Sequence, residues 1–213
     1  MEDKKINEQE SLELIARMIQ QTKKDSAIGS GNMFLMWGYL SVFFSLAVVA
    51  MTYIRHEGGW GWLYIAIPVI GFITAGIMAR RMKKMNSVPS TYTTKSINSI
   101  WGCLSFIFGI YAVFCLFKYD EPRLWSGMFL LGLLLPAIGT YCTGTILNEN
   151  RLRHCATVGL ICALYFLEVL CTGGSVITIK WAIKMIICMI FSLVIPGHIL
   201  NYKAKKSIKE QQA

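Results

Sequence analysis

Six long apolar runs dominate the chain: Met33–Ile54, Trp60–Ala79, Ser99–Phe117, Trp125–Leu147, Cys155–Cys171 and Trp181–Leu200. A helix needs roughly 20 such residues to cross about 30 Å of hydrocarbon. The apolar residues follow one another instead of alternating, which selects helices over strands. Within lipid only helices and closed barrels satisfy their own backbone. The expectation is an all-α membrane protein with six transmembrane helices. Charged residues are 15% of the chain, against roughly 25% in a soluble domain, which excludes an ordinary soluble enzyme or binding module.

The formal net charge of +9 could suggest a nucleic-acid partner, but the distribution of the 21 Lys and Arg residues argues otherwise. Five precede the first run, five follow the second, two follow the fourth and four follow the sixth. Only Arg55, Lys118, Arg123, Lys180 and Lys184 fall on the opposite side. Such asymmetry marks the cytoplasmic face and puts both termini there. The basic loops then meet anionic lipid headgroups, and the bilayer replaces nucleic acid as the partner. The first run follows 32 mostly polar residues, so no cleavable signal is expected.

Residues 1–32 read as a cytoplasmic helix and a Gly-rich linker. Asn7 and Glu10 have capping-box spacing, and Leu12, Ile15, Met18 and Ile19 form one apolar face. Gly29-Ser30-Gly31-Asn32 is expected to break this amphipathic helix before the first span. The helix can lie on the membrane, pack under its own bundle, pair with a protein partner or self-associate. Residues 33–200 form the membrane domain, and residues 201–213 a basic cytoplasmic tail.

The spans repeat. Trp37-Gly38-Tyr39-Leu40-Ser41 recurs as Trp101-Gly102-Cys103-Leu104-Ser105. Pro68-Val69-Ile70-Gly71 recurs as Pro136-Ala137-Ile138-Gly139, each with a further glycine five residues on, Gly76 and Gly144. Gly144-Thr145-Ile146-Leu147-Asn148 recurs as Gly197-His198-Ile199-Leu200-Asn201. The expected architecture is three tandem helical hairpins of the same orientation. Gly38, Ser41, Gly71, Gly102, Ser105, Gly139 and Gly144 are the candidate helix-packing residues. Lipid gives helices no hydrophobic reason to associate, so close approach at small residues must supply it.

Candidate chemistry is sparse. Glu168 is the one acidic residue within a run, and Lys184 lies within the sixth, with Lys180 just before it. The Gly173-Gly174 turn puts Glu168 and Lys180 at similar depth, so an intramembrane ion pair of Glu168 with Lys180 or Lys184 is expected. A coupling role for Glu168 in transport is the alternative. Pro68, Pro136 and Pro196 each remove an N–H and can kink a helix. The seven cysteines contain no C-x-x-C pair and His56, His154 and His198 have no ligand spacing, so no metal or cofactor is expected. H-E-x-x-H, G-x-S-x-G and Walker A patterns are absent, and no catalytic residue is assigned.

With "SLELIARMIQQTKK", "GSGNMFLMWGYL" and "IPGHILNY", the chain resembles a family of small bacterial integral membrane proteins of uncharacterised activity. The resemblance implies a bacterial inner-membrane location and about six spans, and carries over no functional residues. The functional expectation is a non-enzymatic protein acting through interaction or regulation. A small transporter or permease subunit is the alternative.

Overall fold

The computed structural model describes residues 12–13, 30–55, 60–85, 92–118, 122–167 and 179–212. Every regular element among them is helical. Helix α1 is Ser30–Arg55. A 3-10 turn, Trp60–Ile65, leads into α2, Ala66–Met85. Helices α3, Tyr92–Phe117, and α4, Pro122–Ile146, follow. Helix α5 is Asn150–Leu164 and α6 is Ile179–Met189. A π-helical segment, Ile190–Val194, joins α6 to α7, Ile195–Gln212.

Five stretches are long and apolar enough to cross a membrane: Gly31–Arg55, Trp62–Arg81, Tyr92–Phe117, Leu124–Ile146 and Trp181–Lys206. The chain is a multi-pass membrane protein. The fifth apolar run is different. Its helix α5 has 15 residues, too few to span on its own. Much of the rest of that run, with Glu168 and the Gly173-Gly174 turn, lies outside the described residues.

Two expected boundaries shift. Ser30, Gly31 and Asn32 already belong to α1 instead of breaking the chain ahead of it. Gly31 is there for closeness: an added Cβ would come 2.3 Å from the Asn201 side chain and 2.8 Å from the Gly197 carbonyl. Asn201 donates to the Asn32 side chain at 2.8 Å, tying the start of α1 to α7. At the other end, α7 does not stop at Leu200 but continues to Gln212, through the residues assigned to the tail.

The two copies of Gly-x-Ile-Leu-Asn therefore end differently. After Gly144 the helix terminates: the Glu149 N–H donates to the Gly144 carbonyl at 2.7 Å, and the Asn148 N–H to Thr145 at 3.1 Å. Asn148 has φ +54°, the left-handed position a Schellman cap requires and that Asn tolerates better than most residues. After Gly197 the helix goes on. Gly197 instead lets α7 close on α1, where a Cβ would meet Leu35 at 2.8 Å. Lys203, six residues further on, forms an ion pair with Glu149 and ties the α4–α5 corner to α7.

The core is formed where α1 packs on α6, the π segment and α7, and where α5 packs on α4 and α6. Leu133, Ala137, Thr140, Leu152, Ala156, Cys188, Ser192 and Leu200 are almost wholly buried there. Helix α3 takes little part in this core. Its main neighbour is α4, and only 6% of its apolar window is buried. Helix α2 leans on α1 and its own 3-10 turn, and α2 and α3 scarcely touch. Phe106, Ile110, Phe114 and Phe117 of α3 face outward, as a lipid-exposed helix requires.

Candidate functional site

The three span prolines are handled in three ways. Pro68 falls in the first turn of α2, where backbone N–H groups have no intrahelical partner anyway. The 3-10 turn before it pairs at i to i+3 and avoids the clash of the ring with the carbonyl four residues back. Pro136 lies inside α4. Pro196 comes two residues after the end of the π segment, and it has no N–H to offer the Ser192 carbonyl four residues back. Thr140 of α4 supplies a replacement: its Oγ1 donates to the Ser192 carbonyl at 2.6 Å.

A buried polar knot surrounds that bond. Cys188 Sγ donates to the Gly159 carbonyl at 3.4 Å and lies 3.8 Å from Ser192 Oγ. Gly159 must be glycine here, since a Cβ would come 2.2 Å from Ser192 Oγ. The sequence groups Pro196 with Pro68 and Pro136 as residues that can kink a span, but its register differs from theirs. Counted back from the shared Gly-x-Ile-Leu-Asn, Ser192 stands where Gly139 stands. The missing N–H of Pro196 was the available signal for a hydroxyl from another helix.

The predicted packing residues separate into two groups. In the first, a tryptophan of one helix seats on a glycine of its neighbour. A Cβ on Gly71 would meet the Trp37 ring at 2.2 Å, and one on Gly139 the Trp101 ring at 2.9 Å. Trp101 Nε1 also donates to Thr143 Oγ1 at 3.1 Å. The Trp-Gly and Pro-x-Ile-Gly motifs are thus the two halves of one contact, made once by α1 with α2 and again by α3 with α4. A Cβ added at Gly38 would come 2.8 Å from the Val194 side chain, and one at Gly144 2.9 Å from that of Leu152. Ser41 is buried. The second group is Gly102, which is exposed with nothing within 4 Å of an added Cβ, and Ser105, which is half-buried. Gly102 has no packing role among the described residues.

Lys184 Nζ lies 4.0 Å from the ring centroids of both Tyr165 and Trp181. Aromatic faces attract a cation and let it sit against an apolar surface. Glu168 lies outside the described residues, as does the side chain of Lys180. No group of three His, Cys, Asp or Glu side chains that could hold a metal occurs among the described residues.

Sequence reasoning did not find a cleft that the described residues form. It lies between α2 and α3, with α1, α4 and α6 as its floor, and has a volume of about 160 Å³. Helix α2 and its 3-10 turn contribute Tyr64, Ile67, Pro68 and Phe72, and α3 contributes Trp101, Leu104, Ser105 and Phe108. The floor carries Trp37 and Ser41, the stretch of α4 from Met128 to Pro136, and Met185 and Met189. The lining is almost wholly apolar. Tyr64 is the exception that matters: its ring packs edge-on to Phe129 at 4.7 Å, and its residue is 5% exposed. The phenol oxygen is buried against the Ser45 hydroxyl of α1. The Ser45 hydroxyl in turn donates to the Ser41 carbonyl at 2.8 Å, which leaves its oxygen free to accept from Tyr64.

No protein-family model, curated protein or solved structure matches this chain.

Proposed function

We propose that the protein crosses a bacterial inner membrane six times, as three tandem hairpins with both termini cytoplasmic. It acts there without catalysis, through interaction with a protein partner. The neighbouring pairs α1 with α2, α3 with α4 and α5 with α6 all pack together, which supports the hairpin reading. So does the Trp-on-Gly contact made by the first two pairs.

The observation that carries the interaction reading is the filled centre of the bundle. Thr140, Ala137, Ala156, Cys188 and Ser192 close the middle with buried side chains and internal hydrogen bonds. A through-bundle transporter would need a polar, hydrated path at that depth. The N-terminal segment is the partner-facing element: Leu12, on its apolar face, is 65% exposed.

The test is affinity purification of the full chain in mild detergent, comparing wild type with a Leu12→Glu/Ile15→Glu variant. A defined chain that co-purifies with wild type and is lost with the variant supports the reading. A monomer without a partner in both cases refutes it, as would solute flux through reconstituted vesicles.

A further inference from the structure

We propose that α3 pairs with α3 of a second copy of this chain, parallel to it across a two-fold axis along the membrane normal. The seam runs through Gly102, Gly109 and Leu116, with Phe106 and Val113 between them. It is separate from the N-terminal segment and does not rest on the interaction assigned to that segment.

The internal repeat says what kind of occupant this face takes. Trp37-Gly38-Tyr39-Leu40-Ser41 of α1 recurs as Trp101-Gly102-Cys103-Leu104-Ser105 of α3. On each helix the tryptophan serves its own hairpin, seated on Gly71 or on Gly139. The adjoining face differs between them. On α1 it is Gly38, Ser41, Ser45 and Val48, all buried, and α6 and the π segment pack over α1 there. A Cβ added at Gly38 would come 2.8 Å from the Val194 side chain and 3.1 Å from that of Leu193. The same positions on α3 are Gly102, Ser105, Gly109 and Ala112. They are as small or smaller, yet no described residue lies within 4 Å of a Cβ added at Gly102 or Gly109. Helix α3 is also the least buried of the five candidate spans. A face that receives branched apolar side chains in one repeat unit is therefore vacant in the next. Lipid gives no reason for glycines there, since glycine is among the least favourable residues within a helix.

The spacing fits a second copy. Positions 102, 109 and 116 are seven apart, as are 106 and 113, the period of helices that cross at a shallow left-handed angle. Copies of one chain insert with the same orientation, so two α3 helices meet parallel. In such a pair the side chain at 106 enters a hole that positions 102, 105, 106 and 109 of the facing helix enclose. Here the knob is Phe106, 69% exposed, and the hole is walled by Gly102, Ser105 and Gly109. One heptad on, Val113, 52% exposed, enters against Gly109, Ala112 and Leu116. Knob and hole lie on the same helix face, so each contact is returned by symmetry and the assembly closes as a dimer. Lys95 and Lys118, exposed at the two ends of α3, bound a seam about 25 Å long.

The test uses the full chain, labelled at its C-terminus with either a donor or an acceptor fluorophore and reconstituted together in phosphatidylcholine–phosphatidylglycerol vesicles. Energy transfer above the random-proximity level is expected, falling reversibly as lipid is added. Gly102→Ile and Gly109→Ile should each weaken pairing at least about tenfold, because the new side chain fills the hole. Nothing described lies near either Cβ, so thermal unfolding should show both variants folded. Phe114→Ala, exposed but off the seam, should pair as wild type does, and so should Leu12→Glu/Ile15→Glu. In a Cys103→Ser background, Val113→Cys should form a disulfide-linked dimer under copper phenanthroline, and Phe114→Cys should not.

Transfer at the random level at every dilution would overturn the proposal, as would transfer that both isoleucine variants keep. Loss of transfer in Leu12→Glu/Ile15→Glu alone would put self-association in the N-terminal segment and overturn the α3 seam. A different chain that co-purifies with wild type and is lost with Gly109→Ile, while the pure protein shows no transfer, would overturn the second copy in favour of another protein.

Discussion

Thr140→Val is the perturbation whose size follows most directly from the structure. Valine nearly preserves the shape of threonine, so the fully buried site keeps its packing. What is lost is the 2.6 Å bond to the Ser192 carbonyl. That carbonyl cannot turn to residue 196, which is proline and has no N–H. Leaving a buried acceptor short of a donor costs about 1–3 kcal/mol. Interhelical hydrogen bonds in membrane proteins average nearer about 0.6 kcal/mol, with a maximum of about 1.7. The expected loss is therefore about 1–2 kcal/mol, read from reversible unfolding in mixed micelles. The decisive comparison is a double-mutant cycle with Pro196→Ala, which returns an N–H to the position that lost it. Thr140→Val should then cost clearly less, with a coupling of at least about 0.5 kcal/mol. Additive costs would show that Thr140 does not stand in for the missing amide.

Three further outcomes follow from the same packing. Gly71→Ala should destabilise by about 1–3 kcal/mol, because its Cβ would overlap the Trp37 ring. Gly102→Ala, with nothing near its Cβ, should be neutral or stabilise by up to about 1 kcal/mol. Both are read from thermal unfolding in one detergent. Asn148→Gly should be tolerated, whereas Asn148→Val should cost at least about 1–2 kcal/mol, because its φ of +54° disfavours a β-branched side chain.

The apolar runs made the membrane class legible because lipid imposes it: a spanning segment must be long, apolar and internally bonded. The repeats were legible too, but their meaning was not. Trp37 and Gly71 could be read as separate small-residue and aromatic signals, and only the structure shows that each ring sits on the opposing glycine. Gly102 matches Gly38 in sequence, yet Gly38 faces Val194 while Gly102 faces nothing. Identical motifs take different roles because α1 lies inside the bundle and α3 at its edge. The cleft was invisible for the same reason: it exists where two helices fail to meet, and no residue pattern records that failure. Pro196 carried more information than its reading used, since every proline within a helix asks where the freed carbonyl finds a donor.

Topology tests the central claim most directly. Six spans leave the C-terminus on the same side as the N-terminus, whereas five would separate them. Green fluorescent protein and alkaline phosphatase, fused in turn after Ala213 and ahead of Met1, report the side of each end in bacterial cells. The account predicts fluorescence and no phosphatase activity at both ends. Phosphatase activity at the C-terminus alone would contradict it, leaving α5 and the residues after it as a segment that enters the membrane without crossing.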